Sequence, residues 1–334
     1  MVGRVEQLWR FPVKSMGGTR VDAVHVDLHG VHADRLWAVR DLERDITASA
    51  RKVPALLGFS ARYAAEPGPD AGPGNVPEVI VTTPDGVELS SSDPELDRRL
   101  SELLGREVKM TALPARADTS LHRLSVRQTR ANYSPTEVRR DFGLSESEAL
   151  PDTSLFSTRQ MLTLARYATP PGTFVDLSPV HVLSTTSLAT LSEGSEGGAS
   201  GAPYDVRRFR PNVLVALDDA AGGYPEAGWV GGDVEFGSVT LRITNPTIRC
   251  VVPTRPQPGL ELDRGLTRRL AESTDRFLGV YADVATPGVV RVGDPVRVRM
   301  AAPPNAARRV AAAAGRTAMR QMQRVLEATV LRER

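Results

Sequence analysis

The chain contains a single cysteine and three lysines among its 334 residues. One cysteine excludes an intrachain disulfide, a four-cysteine zinc site and an all-cysteine iron–sulfur cluster, so any thiol chemistry belongs to Cys250. Because lysine occurs only at Lys14, Lys52 and Lys109, nearly every positive charge is a guanidinium, which suits carboxylates and phosphates. Pyridoxal-type chemistry, which needs a Schiff-base lysine, therefore has few candidates.

Long uncharged apolar runs are also absent. No stretch reaches the ~18 residues of a membrane span, and Arg4 and Glu6 interrupt the first apolar pattern, so we expect a cytoplasmic protein. The composition is 41% hydrophobic and 25% charged, with a formal net charge of +2. These values are typical of a soluble globular protein of about two domains, and they exclude a disordered chain or one built to coat nucleic acid.

Short β-rich runs bounded by turn residues dominate the sequence. Three such runs in the first 60 residues predict an antiparallel meander, and the Pro- and Gly-rich stretch 64–77 predicts an exposed loop. One helix is predicted between Pro94 and Gly105, and others over 184–191 and 262–273. Later runs are typical of a barrel or a strongly bent sheet: 212–217, 234–236, 239–244, 251–252, 289–292 and 296–298. The predicted fold class is mixed, mainly β with peripheral helices.

Weak periodicity between residues 113 and 160 indicates a connection between two domains, which we expect to cover a site. The predicted divisions are a first domain over 1–112, this connection over 113–160, a second domain over 161–300 and a basic C-terminal helix over 301–334. From Arg308 onward, seven arginines face two glutamates. This pattern favours a solvated helix that packs on the body or on a second copy in a homo-oligomer, rather than one that binds nucleic acid or a membrane.

Two arginines and an asparagine lead into a predicted strand in the motif RRFRPN. Period-2 alternation would place Arg208, Arg210 and Asn212 on one face. Such a face could bind a phosphate through charge-assisted hydrogen bonds while the amide contacts a neighbouring polar group. The alternative is a solvated edge strand with surface ion pairs.

Cys250 follows Arg249 and a proline turn in the motif NPTIRC. A nearby cation favours the thiolate, which is both a nucleophile and a soft metal ligand, so we expect the pKa of this thiol to be lowered. The alternative is a buried structural cysteine. Two weaker patches, Lys14-Ser15 and Arg51-Lys52, combine cations with hydroxyls at turns and could hold an anion.

Taken together, these motifs resemble the MOSC proteins, a family named after the C-terminal domain of molybdenum cofactor sulfurase. The resemblance is carried by RFPVKS, by DRLW followed by SARKVPAL, by RRFRPN, by NPTIRC and by GVVRVGDPV, in that order over residues 1–300. It implies an N-terminal β-barrel-like domain followed by a second β-barrel domain. The similarity is to the branch that contains the mitochondrial amidoxime-reducing component.

The resemblance also implies a molybdopterin-type molybdenum cofactor, with Cys250 as the one protein ligand to the metal. By motif position, the residues implied to hold the pterin and its phosphate are Lys14, Ser15, Arg35, Arg51, Arg210 and Asn212. Arg208 and Arg249 are added from their neighbourhood only. The sequence departs from the branch at Ile248, where a serine is common, so one hydroxyl near the metal is missing.

The activity implied by the resemblance is an oxidoreductase that reduces N-hydroxylated or other N–O small molecules. Because one cysteine excludes an appended iron–sulfur domain, its electrons would come from a separate protein. Two other functions fit the same residues. Cys250 could carry a persulfide in a sulfur-carrier or cofactor-handling protein, or the arginines could bind the anionic partner of a non-catalytic scaffold.

Overall fold

The structure, a computed structural model, describes residues 1–132, 134–146, 148, 155–193, 203–218, 222–300 and 321. Apart from Gln321, the predicted C-terminal helix over 301–334 lies outside these residues, so the helix and its homo-oligomer contact stay predictions. Strands account for most of the regular structure, with shorter helices around them. The predicted fold class is confirmed.

Seventeen strands lie within the described residues. They are β1 (Gly3–Arg10), β2 (Thr19–Val21), β3 (Ala23–Asp27), β4 (Gly30–Val31), β5 (Trp37–Asp41), β6 (Ile46–Thr47), β7 (Ser60–Tyr63), β8 (Val79–Thr82), β9 (Glu88–Ser90), β10 (Val108–Ala112), β11 (Val180–Ser184), β12 (Val213–Leu217), β13 (Asp233–Phe236), β14 (Val239–Ile248), β15 (Phe277–Thr286), β16 (Gly288–Arg291) and β17 (Pro295–Arg299).

Six α-helices lie within the same residues. They are α1 (Glu95–Leu104), α2 (Val126–Asn132), α3 (Pro135–Phe142), α4 (Thr158–Arg166), α5 (Thr185–Ser192) and α6 (Leu266–Thr274). Short 3-10 helices occur at Pro54–Gly58, Val206–Arg208, Pro225–Trp229 and Val252–Thr254. Within the described part of the chain, no helix is both long and apolar enough to span a bilayer.

Seven strands close into a barrel in the order β1, β12, β11, β15, β14, β13 and β17, with β17 pairing back to β1. Alternate residues of each strand point inward, as in β14, where Val239, Leu241 and Ile243 are buried and Arg242 is exposed. The interior is filled by branched and aromatic side chains such as Phe236. Closure of the barrel removes free sheet edges, and the packed core fixes the positions of the loops at the barrel's ends.

A second core is built mainly from the first 113 residues, and Phe174 also packs into it. Two three-stranded sheets, β10-β5-β6 and β7-β8-β9, pack with α1 around it. Leu96, Leu100 and Leu104 of α1 are buried at helical spacing, and Gly105 ends the helix in the left-handed region at φ 64°. The prediction of this helix from its proline, leucine spacing and glycine is confirmed.

The strand β1 belongs to the barrel although it precedes the first domain's core in the chain. It runs antiparallel to both β12 and β17, with Val5 opposite Val215 and Gly3 opposite Val296. After residues 11–18 the chain pairs β2 with β1 and packs valines of β3 and β4 on the barrel core. It then builds the first domain's core and returns to the barrel at β11. Residues from both halves therefore meet at the end of the barrel where β1 ends.

Candidate functional site

Four cations and a carboxylate meet at this junction, and we call the group the basic hollow: Lys14, Arg35, Arg51, Arg210 and Asp176. At its edge, Asp34 pairs with Arg35 and Asp141 lies 3.7 Å from Arg51. All four cations interact electrostatically with Asp176, which lies on the loop before β11. Lys14 Nζ donates to Asp176 Oδ1 at 2.5 Å. The Lys14 side chain is 4% exposed and that of Asp176 is 63% exposed, so the carboxylate faces open space while its lysine partner is buried. Desolvation by the side chains packed around the carboxylate raises the pKa of Asp176, but Lys14, Arg51 and Arg35 outweigh this effect and hold that pKa below its usual range.

Phe11 carries two of these cations against its ring. The guanidinium carbon of Arg35 lies 4.8 Å from the ring centroid and that of Arg210 lies 4.4 Å from it. Arg210 Nη1 donates to Met16 O at 2.6 Å, whereas its Nη2 is buried without a hydrogen-bond partner among the described residues. A buried N–H without an acceptor is costly, so an anion that reached Arg210 Nη2 would gain a strong, charge-assisted bond.

Backbone strain is concentrated in the same place. Ser15, Arg35 and Arg210 have left-handed φ values of 69°, 53° and 55°, a region that side chains with a Cβ seldom occupy. Ser15 Oγ accepts a hydrogen bond from Ala50 N at 2.9 Å and so joins the loop of Lys14 to the loop that carries Arg51. The strained residues are three of those that the sequence motifs single out.

Cys250 lies just after β14, on the side of the chain that faces the hollow. Ile248 and Cys250 are half-buried, whereas Arg249 between them is buried and points the other way. The sulfur lies within electrostatic reach of Arg51 and Asp176, and also of Tyr281 on β15. The lone thiol and the cations therefore border the same space.

The predicted lowering of the thiol pKa is wrong for the protein without bound groups. Burial raises the pKa of Cys250, and the opposing effect of Arg51 is smaller. The cation expected to activate the sulfur, Arg249, instead donates to Leu278 O, Phe209 O and the ring of His181. Arg249 still interacts electrostatically with Cys250, but successive side chains of an extended segment point to opposite faces, so its hydrogen bonds are made away from the thiol.

The predicted common face of Arg208, Arg210 and Asn212 is also wrong. Val206–Arg208 is a 3-10 helix, Arg210 is left-handed, and β12 begins only after Asn212. Arg208 donates to Pro253 O at 3.0 Å and to Glu261 O at 2.7 Å, so it holds a loop rather than lining the hollow.

Asn212 is also engaged with the protein. It is buried, its Oδ1 accepts from His181 N at 3.2 Å, and its Nδ2 donates to Trp9 O at 3.4 Å. Its amide therefore joins β1 and β11 to the start of β12. Of the three residues predicted to share a face, only Arg210 belongs to the basic hollow.

The α3 segment of the connection bridges the two halves of the chain beside Cys250. Lys52 Nζ lies 2.6 Å from Glu137 Oε2 and 2.8 Å from Asp141 Oδ1, while Arg51 Nη1 lies 3.7 Å from Asp141 Oδ2. On the opposite side, Val251 N donates to Asp141 O at 2.8 Å. The position of α3 next to the thiol agrees with a cover, and the covering role itself stays a prediction.

A cavity adjoins the hollow on the side of the first domain. Lys14 and Arg51 belong to both, and Asn132 and Asp141 of the connection form part of the cavity's lining. Cys250 lies outside that lining. The two spaces therefore share cations, while the thiol faces only the hollow.

Three residues near the hollow were missed at the level of sequence: Asp176, Asp141 and His181. Each is an isolated polar residue without a motif of its own, and each becomes recognisable only through its partners. A weak signal existed for α3, because Ser134-Pro135 followed by Glu137 is a helix start and Gly143 a helix end, and the structure has both caps.

Comparison with known proteins agrees with this architecture. The model of the MOSC N-terminal beta barrel domain matches residues 2–117, and the model of the MOSC domain matches residues 170–297. Together the two matches cover more than half of the chain, and they leave 118–169, which includes most of the predicted connection, outside both. The chain belongs to the MOSC domain family.

Several relatives align with this chain over most of its length. Mitochondrial amidoxime-reducing component 1 of Mus musculus is 26% identical over 320 residues, and that of Homo sapiens is 25% identical over 316, each match covering 88% of this chain and 82% of the relative. Mitochondrial amidoxime reducing component 2 of Bos taurus is 26% identical over 321 residues. Among solved structures, the YUAD protein from Bacillus subtilis aligns with a TM-score of 0.41 at 13% identity, over 90% of this chain and 98% of that one.

Proposed function

We propose that this MOSC protein binds a molybdopterin-type molybdenum cofactor in the basic hollow, with Cys250 as its one protein ligand to the metal. We further propose that it reduces N-oxygenated small molecules with electrons from a separate protein. The observation that carries the proposal is the position of the lone, half-buried thiol within electrostatic reach of Arg51, at the same hollow as Lys14, Arg35 and Arg210.

The residues of the hollow suit such a group. Arg210 Nη2 is a buried donor lacking an acceptor within the described residues, which favours an anionic ligand. The guanidiniums of Arg35 and Arg51 add fork-shaped donors for a phosphate, and Lys14 adds a point charge. Within the described residues, no group of three or more His, Cys, Asp or Glu side chains could hold a metal ion. A metal bound here through Cys250 would therefore take its other ligands from an organic cofactor.

The division of labour follows from this donor set. When bound, the molybdenum cofactor would supply two-electron redox chemistry. Lys14, Ser15, Arg35, Arg51 and Arg210 would bind and orient its pterin and phosphate, while Arg208, Asn212 and Arg249 support the loops behind them.

The proposed substrate class comes from the names of the relatives, which are amidoxime-reducing components. Reduction of an amidoxime to an amidine consumes two electrons and two protons and releases water. The chain has one cysteine, which excludes a cysteine-bound iron–sulfur cluster of its own, so we propose a separate electron donor. We also propose a cytoplasmic location, as the sequence predicts.

The first test is to quantify molybdenum and pterin in protein purified from a host that makes the cofactor. We expect near-stoichiometric cofactor in the wild type, and less than about a tenth of that in Cys250→Ala and Arg210→Ala. Arg62→Ala is the matched control, because Arg62 is an exposed arginine paired with Glu88 away from the hollow. Reduction of benzamidoxime by reduced methyl viologen should follow the molybdenum content across the four proteins.

The same preparation separates the proposal from the sulfur-carrier alternative. Wild-type protein that contains no molybdenum, but carries cyanide-labile sulfur that Cys250→Ala lacks, would overturn the oxidoreductase proposal in favour of a carrier. Protein with neither molybdenum nor labile sulfur would overturn both and leave a non-catalytic role.

A further inference from the structure

His181 is a buried histidine that the proposed chemistry does not use. It lies on β11, is 5% exposed, and its Nε2 lies 2.6 Å from Arg249 Nη2. Because a guanidinium has donors only, His181 Nε2 accepts this bond and the ring proton is on Nδ1. The ring also interacts with the backbone of Arg210. One neutral imidazole therefore contacts both the arginine next to Cys250 and the chain at Arg210.

Arg249 connects the same two segments a second time. Its Nη1 donates to Phe209 O at 3.0 Å and its Nε donates to Leu278 O at 2.8 Å. Phe209 precedes Arg210, and Arg249 precedes Cys250, so this side chain ties the cation-bearing turn to the thiol-bearing turn. The guanidinium is buried, and it lies 5.5 Å from the centroid of the Phe209 ring. In such surroundings a missing acceptor would cost much more than at the surface.

Asn212 and Gly279 complete the seat of His181. Asn212 exchanges two hydrogen bonds with the backbone of His181, accepting from His181 N at 3.2 Å and donating from its own N to His181 O at 2.9 Å. At Gly279, a Cβ would lie 2.6 Å from His181 Nε2 and 2.7 Å from Val182 O, and the residue has φ +74°. Only glycine fits there, so β15 leaves room for the imidazole and its bond to Arg249.

We propose that His181 is a positioning residue of the cofactor site: by accepting from Arg249, it fixes the backbone of Arg210 and Cys250 in the relative positions that the cofactor needs. This inference rests on the proposed function for its purpose, but the geometry it concerns exists without the cofactor. We call His181, Arg249 and Asn212 the clamp. It lies behind the hollow, contacts no open space there, and acts only through the two residues that it holds.

The test compares two substitutions of His181 with a neighbouring control. His181→Leu removes the acceptor, whereas His181→Gln keeps a side-chain oxygen that can accept from Arg249. Val182→Ala is the control, because Val182 is equally buried on the next position of β11 but packs inside the barrel, away from the clamp. Urea unfolding of all four proteins gives their stabilities, so that a general loss of stability can be separated from a loss of positioning.

Two readouts follow positioning directly. The first is the rate at which Cys250 reacts with DTNB in protein from a host that cannot make molybdopterin. We expect His181→Leu to react about tenfold faster than wild type, and His181→Gln and Val182→Ala to react within about threefold of it. The second is the half-time of molybdenum loss from cofactor-loaded protein during dialysis, which should shorten about tenfold in His181→Leu alone.

The two proposals fail separately. Unchanged thiol reactivity in His181→Leu, or an equal increase in Val182→Ala at matched stability, would overturn the clamp whether or not molybdenum is present. Suppose that the wild type contains no molybdenum, and that His181→Leu is the one variant with a faster thiol reaction. That result would overturn the proposed function and leave the clamp standing. Failure of His181→Gln to restore wild-type reactivity would show that the acceptor is not what matters, and would also overturn the clamp.

Discussion

Asp176 places a negative charge among four cations, so it competes with any anion that enters the basic hollow. It neutralises Lys14 at 2.5 Å, and the low pKa caused by its cationic neighbours keeps it ionised at neutral pH. The chain thus carries its own exchangeable counter-ion, which reduces repulsion among the cations before a ligand arrives.

Replacing Asp176 with asparagine should strengthen anion binding, because the amide keeps the size of the side chain and removes the competing charge. We expect inorganic phosphate to bind cofactor-free Asp176→Asn about fivefold more tightly than wild type, close to 1 kcal/mol. Isothermal titration calorimetry measures this difference. Asp118→Asn alters an exposed carboxylate outside the hollow and should leave the affinity unchanged. Equal phosphate affinities for wild type and Asp176→Asn would contradict the counter-ion role.

His122 makes stability depend on pH through a second buried imidazole. It is fully buried, its Nδ1 lies 2.8 Å from Thr169 Oγ1, and its Nε2 accepts from Gly172 N at 3.3 Å. Burial lowers the pKa of His122 to about 4, with Arg40 adding to this effect and Asp118 opposing it. The folded protein therefore keeps this ring neutral where the unfolded chain would protonate it.

The sign of the effect follows from linkage. The unfolded chain binds the extra proton between about pH 6.5 and 4, so stability is complete above that window and falls as the pH drops through it. We expect this site to cost up to about 3 kcal/mol of unfolding free energy near pH 4, relative to pH 7. Urea unfolding of wild type and His122→Gln at both pH values measures the difference. Identical pH dependence in the two proteins would exclude His122 as the source.

The sequence motifs predicted several residues of the site, but not the backbone conformation that brings them together. Lys14, Arg35, Arg51 and Arg210 share the hollow, and Cys250 borders it, as the motifs imply. Arg208 and Asn212 do not, because the prediction assumed extended backbone where Arg210 adopts φ 55°. Left-handed φ at an arginine has no sequence signal, since it is imposed by tertiary contacts that over-determine a strained conformation.

At the scale of elements, α3 connects the first domain to the thiol-bearing turn. Lys52 pairs with Glu137 in the first turn of the helix and with Asp141 in its last turn. Arg51 and Val251 N also contact Asp141. Weak periodicity concealed this helix, whereas α1 and α5 could be predicted from their caps and apolar spacing. A short helix held mainly by ion pairs leaves little hydrophobic pattern in the sequence.

Asp141→Asn should weaken the attachment of α3 while leaving its capping residues, Ser134 and Gly143, unchanged. The change removes the charge facing Lys52 and Arg51, so opening of the segment should become easier by about 1–2 kcal/mol. We expect trypsin to cut after Arg139 or Arg140 at least about fivefold faster in native protein. Asp233→Asn, which breaks an exposed pair with Arg242, is the control. If trypsin cleaved Asp141→Asn no faster than the control, the ion pairs of Asp141 would not be what holds α3 in place.

At the scale of the whole molecule, β1 makes the barrel and the first domain depend on one another. Leu8 is fully buried in the barrel core, while the chain continues directly from β1 into the loop that carries Lys14. Closure of the barrel could not be predicted from the β-rich runs, because period and turn residues reveal strands but not which distant strands pair. The predicted boundary after residue 112 stays a prediction, and β1 precedes it in the chain although it pairs with strands of the barrel.

Leu8→Ala should therefore destabilise both cores together, by about 2–5 kcal/mol. Two reporter proteins, one that keeps only Trp37 at the first core and one that keeps only Trp229 in the barrel, would give the urea midpoint of each core by tryptophan fluorescence. We expect both midpoints to fall equally, and Leu162→Ala, at an exposed leucine, to change neither. A shift confined to the Trp229 reporter would show that the two cores unfold independently.

The pairing of Gly3 with Val296 also has a consequence for biosynthesis. β1 can pair with the nearby β2 early, but its pairings with β12 and β17 must wait until those distant strands are synthesised. Val5 and Leu8, which are buried in the folded barrel, lack their full cover until then. Contacts between residues that are far apart in the sequence form slowly. We therefore expect β1 to stay accessible to chaperones that bind extended apolar segments until the barrel closes, however fast the chain is translated.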